Sequence, residues 1–183
     1  EEAFKQKYQI ADSRDWKFKL AREDAKKHQK EITEIQYRPF DHRCTLFTGK
    51  SKGFVAYPRT EIMGHMLKDN LSVLTCRQLA IEGFQHVFVS KDISERCLVS
   101  IKTKELGYVH PLYLYENSNQ SSLLHTDSRR PNLSKDFIKT FSEKIALKFI
   151  SEGKGDLLKT FGPEAIFYYG YAIFHSHIYR SRY

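Results

Sequence analysis

The chain has 183 residues, 40% of them hydrophobic, and carries 30 lysines and arginines against 22 acidic residues, a formal net charge of +8. That length suits one ordinary domain, or a domain with a small appendage, and the apolar content suffices for a real core. No run approaches the roughly 18 apolar residues of a membrane span, no signal peptide is visible, and the 3 cysteines, far apart and without a CxxC, argue against a disulfide framework and for a reduced compartment. The basic surplus favours a polyanionic partner through counterion release and steering, though solubility alone explains such a surplus equally well. The opening Glu1-Glu2-Ala3-Phe4, without a Met, reads as structure already under way in a longer polypeptide.

Residues 1–10 are expected to form a short strand or helix on Phe4, Tyr8 and Ile10. Asp12, Ser13 and Asp15 are helix-start residues. From Trp16 to Gln29 the composition predicts a mostly exposed helix with a narrow apolar stripe of Trp16, Leu20 and Ala21. The Lys26-Lys27-His28 run is read as a solvent face. Ile32, Ile35 and Tyr37 predict a strand, Arg38-Pro39 forces an extended or turn geometry before Phe40, and Arg43–Thr48 reads as a second strand. Thr48-Gly49-Lys50-Ser51 imitates the end of a phosphate-binding loop, but Cys44 stands where that motif needs its first glycine, so no nucleotide-triphosphate site follows. Lys50, Lys52 and two glycines instead predict a flexible basic turn, either a plain hairpin loop or a close approach to a phosphate backbone.

Pro58 to Lys68 is expected to be one helix, capped by Thr60, with Ile62, Met63, Met66 and Leu67 as its apolar face and His65 in a structural role. Asp69-Asn70 turns the chain. Leu71–Cys76 reads as a buried strand ending in Arg77-Gln78, the side chains best shaped for bidentate contacts to guanine and adenine edges, though a surface polar pair is the commoner case. Three strands follow, His86–Ser90, Cys97–Ile101 and Gly107–Tyr115, joined by polar connections with Lys91, Asp92, Glu95, Arg96 and then Lys102, Lys104, Glu105. In Cys97–Ile101 the alternation sets Cys97, Val99 and Ile101 against Leu98 and Ser100. Cations at strand ends present donors to a polyanion; an ordinary core sheet with charged turns is the plainer reading.

Residues 116–128 are a Ser- and Asn-rich linker. Arg129-Arg130 is then expected at the start of a helix capped by Ser134 or Asn132, with Phe137, Ile138, Phe141 and Ile145 as a buried stripe; paired arginines at a helix N-terminus make a phosphate clamp. Gly153 and Gly155 form a loop, Pro163 sits in the first turn of a last long helix, and Ser176–Tyr183 is a shorter basic-aromatic helical tail whose rings pack.

No catalytic constellation emerges. Glu152-Gly153-Lys154 spells the acid-x-Lys part of a metal-dependent nuclease, but it lies in a glycine loop with no preceding strand offering an Asp. His175-x-His177 has the wrong spacing for a helical metal pair, and Asp41-His42 lacks a nucleophile. Neither a glycine-rich loop for S-adenosylmethionine nor an Asn/Asp-Pro-Pro-aromatic motif is present. Catalytic residues, metal ligands and cofactors are therefore expected to be absent from these residues.

Several phrases recur in a telling order: Tyr37-Arg38-Pro39-Phe40-Asp41-His42-Arg43; Pro58-Arg59-x-Glu61-Ile62-Met63-x-His65-Met66-Leu67; Thr75-x-Arg77-Gln78; His86-Val87-Phe88-Val89; and Ile93-Ser94-Glu95-Arg96-Cys97-Leu98-Val99-Ser100. Lys102-Thr103-Lys104-Glu105, Pro111-Leu112-Tyr113-Leu114-Tyr115, Arg130-Pro131-Asn132-Leu133-Ser134 and the closing Tyr171-Ala172-Ile173-Phe174-His175-Ser176 continue it. Over residues 31–183 the chain resembles the C-terminal target recognition domain of type ISP and related type IIG-like single-chain restriction–modification proteins. The resemblance implies a module that reads a short double-stranded DNA sequence for an adenine-N6 methyltransferase in the same parent chain, where S-adenosylmethionine would bind, with a helicase and a nuclease in the longest members. It implies a bacterial or archaeal cytoplasmic setting and no membrane partner.

The fold class expected is α+β: an N-terminal segment and helix over 1–30, a mixed-sheet recognition core over 31–115, a polar linker over 116–130 and a helical subdomain over 131–183. Candidate base readers are Arg77, Gln78, Arg96, Lys102 and Lys104. Candidate phosphate contacts are Arg38, Arg43, Lys50, Lys52, Arg59, Arg129 and Arg130. The competing reading is an interaction module that docks on the methyltransferase or helicase and touches DNA without sequence preference.

Overall fold

The computed structural model of the chain describes residues 1–77, 87–99, 105–116 and 128–182. Two short helices open it, α1 (Glu2–Lys7) and α2 (Phe18–Lys27). The Asp12 carboxylate accepts the Phe18 N–H at 2.9 Å, which serves the start of α2 as an N-cap would. The buried residues of α2 are Ala21 and Asp24. Leu20, expected in the apolar stripe, is 38% exposed, and the acid at position 24 takes the inward place.

Strands β1 (Ile32–Arg38) and β2 (Asp41–Leu46) form an antiparallel hairpin with Ile35 opposite Arg43. Its tip holds Phe40 at φ +64°, a left-handed conformation that costs a side-chain-bearing residue roughly 1–2 kcal/mol. Helix α3 (Thr60–Met63) is followed directly by a 3-10 turn, Gly64–Leu67. The single helix expected from Pro58 to Lys68 is thus two short pieces, and Thr60 is its first helical residue rather than its cap. Arg59 enters with φ +50°, and glycine at 64, a poor helix former, stands where the chain tightens.

Strand β3 (Ser72–Cys76) is the centre of an antiparallel sheet between β4 (Val87–Ser90) and β6 (Gly107–Pro111). Between β4 and β6, β5 (Ile93–Ser94) leaves for the other sheet and pairs in parallel with β1, Ile35 opposite Ile93 and Gln36 opposite Ser94. The sheet orders are β2-β1-β5 and β4-β3-β6, one mixed and one antiparallel. The strand expected at Cys97–Ile101 does not form over its described part: Cys97 to Val99 is turn and bend. The Glu95 carboxylate accepts the Cys97 N–H at 2.8 Å and its carbonyl accepts the Leu98 N–H. This capped turn competes successfully with strand pairing and drives Leu98 to 1% exposure.

Strands β7 (Tyr113–Tyr115) and β8 (Arg129–Pro131) pair antiparallel. Helix α4 (Lys135–Ile145) starts on Ser134, whose hydroxyl accepts the Phe137 N–H at 3.1 Å. Strands β9 (Lys148–Phe149) and β10 (Thr160–Phe161) pair in parallel, and α5 (Pro163–His175) and α6 (His177–Arg182) close the chain. The architecture is α+β with a C-terminal helical part.

Three apolar centres hold these elements. Phe47, Met66 and Ile93 join the β1–β2 sheet to the 3-10 turn, with Ile35, Met63 and Val109 against them. Leu112, Tyr113 and Phe167 tie α5 to the other sheet through Val73 and Val89. Phe161, 2% exposed, meets Phe141 and Phe149 at ring-centroid distances of 5.5 and 5.3 Å. Burying such a ring contributes about 1.5–3 kcal/mol. Gly162 lies so close to the 153 loop that a Cβ there would sit 2.3 Å from the Gly153 carbonyl oxygen. The stripe expected to be buried on α4 is only half covered: Phe137 is 41% and Ile145 38% exposed. Among the described residues no helix is long and apolar enough to cross a membrane.

Candidate nucleic-acid interface

The basic turn over residues 48–57 is clipped in place rather than flexible. Asp24, fully buried, accepts the Thr48 hydroxyl and the Phe54 N–H with one carboxylate oxygen, both at 2.8 Å. The Trp16 indole donates to the Phe54 carbonyl at 3.0 Å. A Cβ on Gly53 would fall 2.2 Å from that same Asp24 oxygen, so only glycine allows this approach. Burial alone would raise the pKa of Asp24, but the Phe54 and Thr48 hydrogen bonds with Lys50 and His28 nearby outweigh it and hold the carboxyl below its ordinary range. Lys50 and Lys52 therefore project from a fixed loop, exposed, with Lys52 itself at φ +56°. Asp24 left no motif in the sequence; it stands beside Glu23 in a charged helix, and nothing local marks it as the inward acid of the two.

Arg38 and Arg43 are committed to the fold. Both guanidiniums lie over the Tyr37 ring, at 4.0 and 3.9 Å. Arg38 donates to Glu95 at 2.7 Å, and Arg43 makes a bidentate pair with Asp41. The Arg43 hydrogen bonds lower the Asp41 pKa. Arg129 is likewise engaged. It sits on β8 rather than at a helix start, makes a bidentate pair with Glu152, donates to the Asp69 carbonyl and covers the Tyr113 ring at 4.0 Å. The expected arginine clamp at the α4 N-terminus is not formed, because the stretch 129–131 pairs with β7 and Ser134 begins the helix. Arg130 is exposed on the same strand, near His65.

A cleft of about 690 Å³ opens between the two sheets. Ile35, Phe47, Met63, Ile93 and Val109 form its apolar lining. Its polar lining includes Arg59, Arg96, Glu61 and Glu95, and the loop 55–58 contributes Tyr57. The hydrogen bond to Asp15 tethers the Tyr57 hydroxyl and raises its pKa. Across the cleft, Tyr108 of β6 carries the Arg77 guanidinium over its ring at 5.6 Å. Arg59 and Arg96 are exposed, and neither pairs with a carboxylate among the described residues. Glu95 is neutralised by Arg38.

The structure thus gathers Arg59, Arg77 and Arg96 about one cleft, with Lys50 and Lys52 on the loop that supplies part of its wall. Arg38 stands behind them as the partner of Glu95, while Arg129 and Arg130 belong to the β7–β8 ribbon. Gln78, Lys102 and Lys104 lie outside the described residues. Tyr57, Tyr108 and Ser94, which also line the cleft, were missed in the sequence because nothing local marks a residue as facing a gap between two sheets. Among the described residues no group of His, Cys, Asp and Glu has the geometry of a metal site.

Comparison with characterised proteins and with solved structures found no match. A match to a known family covers residues 1–183, and the chain therefore belongs to the Type ISP C-terminal specificity domain family, which supplies target recognition in restriction enzymes.

Proposed function

We propose that this domain reads a short sequence in double-stranded DNA and holds the duplex for an adenine-N6 methyltransferase in the same parent chain. The observation that carries the reading is the cleft edge: among the described residues Arg59 and Arg96 have no carboxylate partner, while Arg38, Arg43 and Arg129 are consumed by the scaffold. Cations spared from internal pairing are the ones able to release counterions from a phosphate backbone. Lys50, Lys52 and Arg59 position the duplex by phosphate contacts, and Arg77 and Arg96 supply the forked donors suited to guanine in the major groove. In this reading the bond-making groups and S-adenosylmethionine lie in the methyltransferase part, in a bacterial or archaeal cytoplasm.

The test begins with selection of a bound sequence from a random duplex pool. Binding to that duplex is then compared with binding to a scrambled one. Arg77→Ala is expected to cut the preference roughly 5- to 150-fold, since one bidentate pair discriminates by about 1–3 kcal/mol, while scrambled-duplex affinity changes little. Equal affinity for selected and scrambled duplexes overturns sequence reading. That result would favour the second reading, a docking module, to which the exposed Phe137, Tyr169 and Ile178 of the helical part lend support.

A further inference from the structure

Burial alternates along β3 and β6, and the two strands agree on which face is inside. Ser72, Leu74 and Cys76 are buried, and Val109, the register partner of Leu74, packs on their side against Phe47 and Ile93. Val73, Thr75, Tyr108 and His110 share the opposite, outer face through the register pairs Val73–His110 and Thr75–Tyr108. Helix α5 covers part of that outer face, where Phe167 packs with Val73 and Val89. The rest is open: Tyr108 is 39% exposed, and His110 and Arg77 are exposed as well. Two side-chain pairs stand there. The Arg77 guanidinium lies over the Tyr108 ring at 5.6 Å, and the Thr75 hydroxyl meets His110 Nε2 at 3.2 Å. Each pair restrains a side chain that would otherwise turn freely, which lowers the entropic cost of a further contact.

Partial burial lowers the pKa of His110, so its ring is neutral near pH 7 and keeps one donor and one acceptor nitrogen. The Thr75 contact uses Nε2 and leaves Nδ1 for a second partner. A neutral pair of this kind adds little to counterion release, and its hydrogen bonds discriminate best at base edges. The spacing suits a duplex. Residues two apart on a strand, as Tyr108 and His110 are, stand roughly 7 Å apart, about two base-pair steps, and the major groove admits strands. Resting on the DNA reading above, we infer that the outer face of β3 and β6 is the base-reading surface, on which His110 meets a base edge within about two base pairs of the one met by Arg77. Thr75 and Tyr108 are the positioning residues of His110 and Arg77. His110 takes a purine N7 or an exocyclic amine through Nδ1, according to the tautomer that Thr75 holds.

The experiment takes the selected duplex, replaces each base pair singly, and measures binding of the purified chain to every substituted duplex by fluorescence anisotropy. The result is a preference profile, position by position. His110→Ala is expected to lower discrimination about fivefold or more at one position, within about two base pairs of the position relaxed by Arg77→Ala. Thr75→Val keeps the side-chain shape and removes the hydroxyl. It is expected to relax the same position as His110→Ala, and the double variant to relax it no further than His110→Ala alone. Tyr108→Leu is expected to relax the Arg77 position, and Tyr108→Phe, which keeps the ring, to restore it. A purely structural role would weaken binding to all duplexes alike and leave the shape of the profile unchanged. An unchanged profile in His110→Ala and Thr75→Val, both folded by thermal melt, overturns the assignment, and the DNA reading stands as long as the selected duplex outbinds a scrambled one. Relaxation by the two variants at unrelated positions overturns it as well. Equal affinity of the unsubstituted chain for selected and scrambled duplexes overturns the DNA reading and this assignment with it.

Discussion

Replacing Asp24 tests the idea that one buried carboxylate shapes the basic loop. Asp24→Ala removes two hydrogen bonds to a charged acceptor, each 2.8 Å long. Such bonds contribute about 1.5–3 kcal/mol each, offset in part by relief of burying the charge, so a net loss of about 3 kcal/mol is expected. For a chain of this length that lowers the melting temperature by about 6–12 °C. Gly53→Ala should cost a similar amount by a different route, because its Cβ would displace the same carboxylate oxygen from 2.2 Å away. In the Asp24→Ala background the methyl group meets mainly the Lys50 carbonyl at 3.0 Å, and its cost should fall to about 1 kcal/mol. Urea denaturation of the two single variants and the double variant therefore predicts a coupling of about 2 kcal/mol. The carboxyl is held below its unfolded value of about 3.9, so its stabilisation is complete above that pH and lost as the pH falls through the lower folded value. The gap between wild type and Asp24→Asn should accordingly close only below about pH 4. Additive costs, within about 0.5 kcal/mol, or a gap that closes near neutrality, would refute the reasoning.

Phe40 is 93% exposed in a left-handed conformation, so Phe40→Asn sheds strain without losing packing and should raise stability by about 0.5–1 kcal/mol in urea denaturation. Arg59→Ala should flatten the slope of log affinity against log salt by about 0.9 per phosphate lost, whereas Arg129→Ala should lower the melting temperature and leave the slope unchanged. His65 accepts the Tyr115 N–H through Nδ1 at 3.1 Å, and burial, with Arg130 and Lys68 nearby, lowers its pKa. The unfolded chain takes up a proton near pH 6.5 that the folded chain resists, so stability should decline as pH drops below about 6.5. His65→Gln should shrink that decline in melts run from pH 7.5 to 5; an unchanged profile would exclude His65 as its source.

Elements whose signals are local were legible in the sequence. Ser134 caps α4 because a serine three residues before Phe137 can reach its N–H, and Pro163 opens α5 because proline lacks only a donor that a first turn leaves unused. The β1–β2 hairpin and β3 followed from β-branched runs bounded by turn residues. What escaped depends on distant partners. Glu95 turned an alternating stretch into a capped bend, and whether Arg38 is a surface cation or a scaffold piece depends on that same Glu95, 57 residues away. The commitment of Arg129 rests on Glu152, read in the sequence only as part of a false nuclease motif. Membership of the specificity-domain family was legible from ordered phrases along the chain rather than from any physical pattern.

The passage from β4 to β5 has one more consequence. The Ser90 hydroxyl accepts the Asp92 N–H and donates to the Asp92 carbonyl at a sharp corner, and the Ser72 hydroxyl donates to the Ser90 carbonyl. Beyond β5, the Arg96 carbonyl takes the Gly107 N–H at 2.9 Å. The strip between the sheets is thus hydrogen-bonded at both ends to the strands on either side of it. Under the DNA reading proposed above, a cleft held this way favours duplexes already shaped to fit it, and the work of bending falls on the DNA.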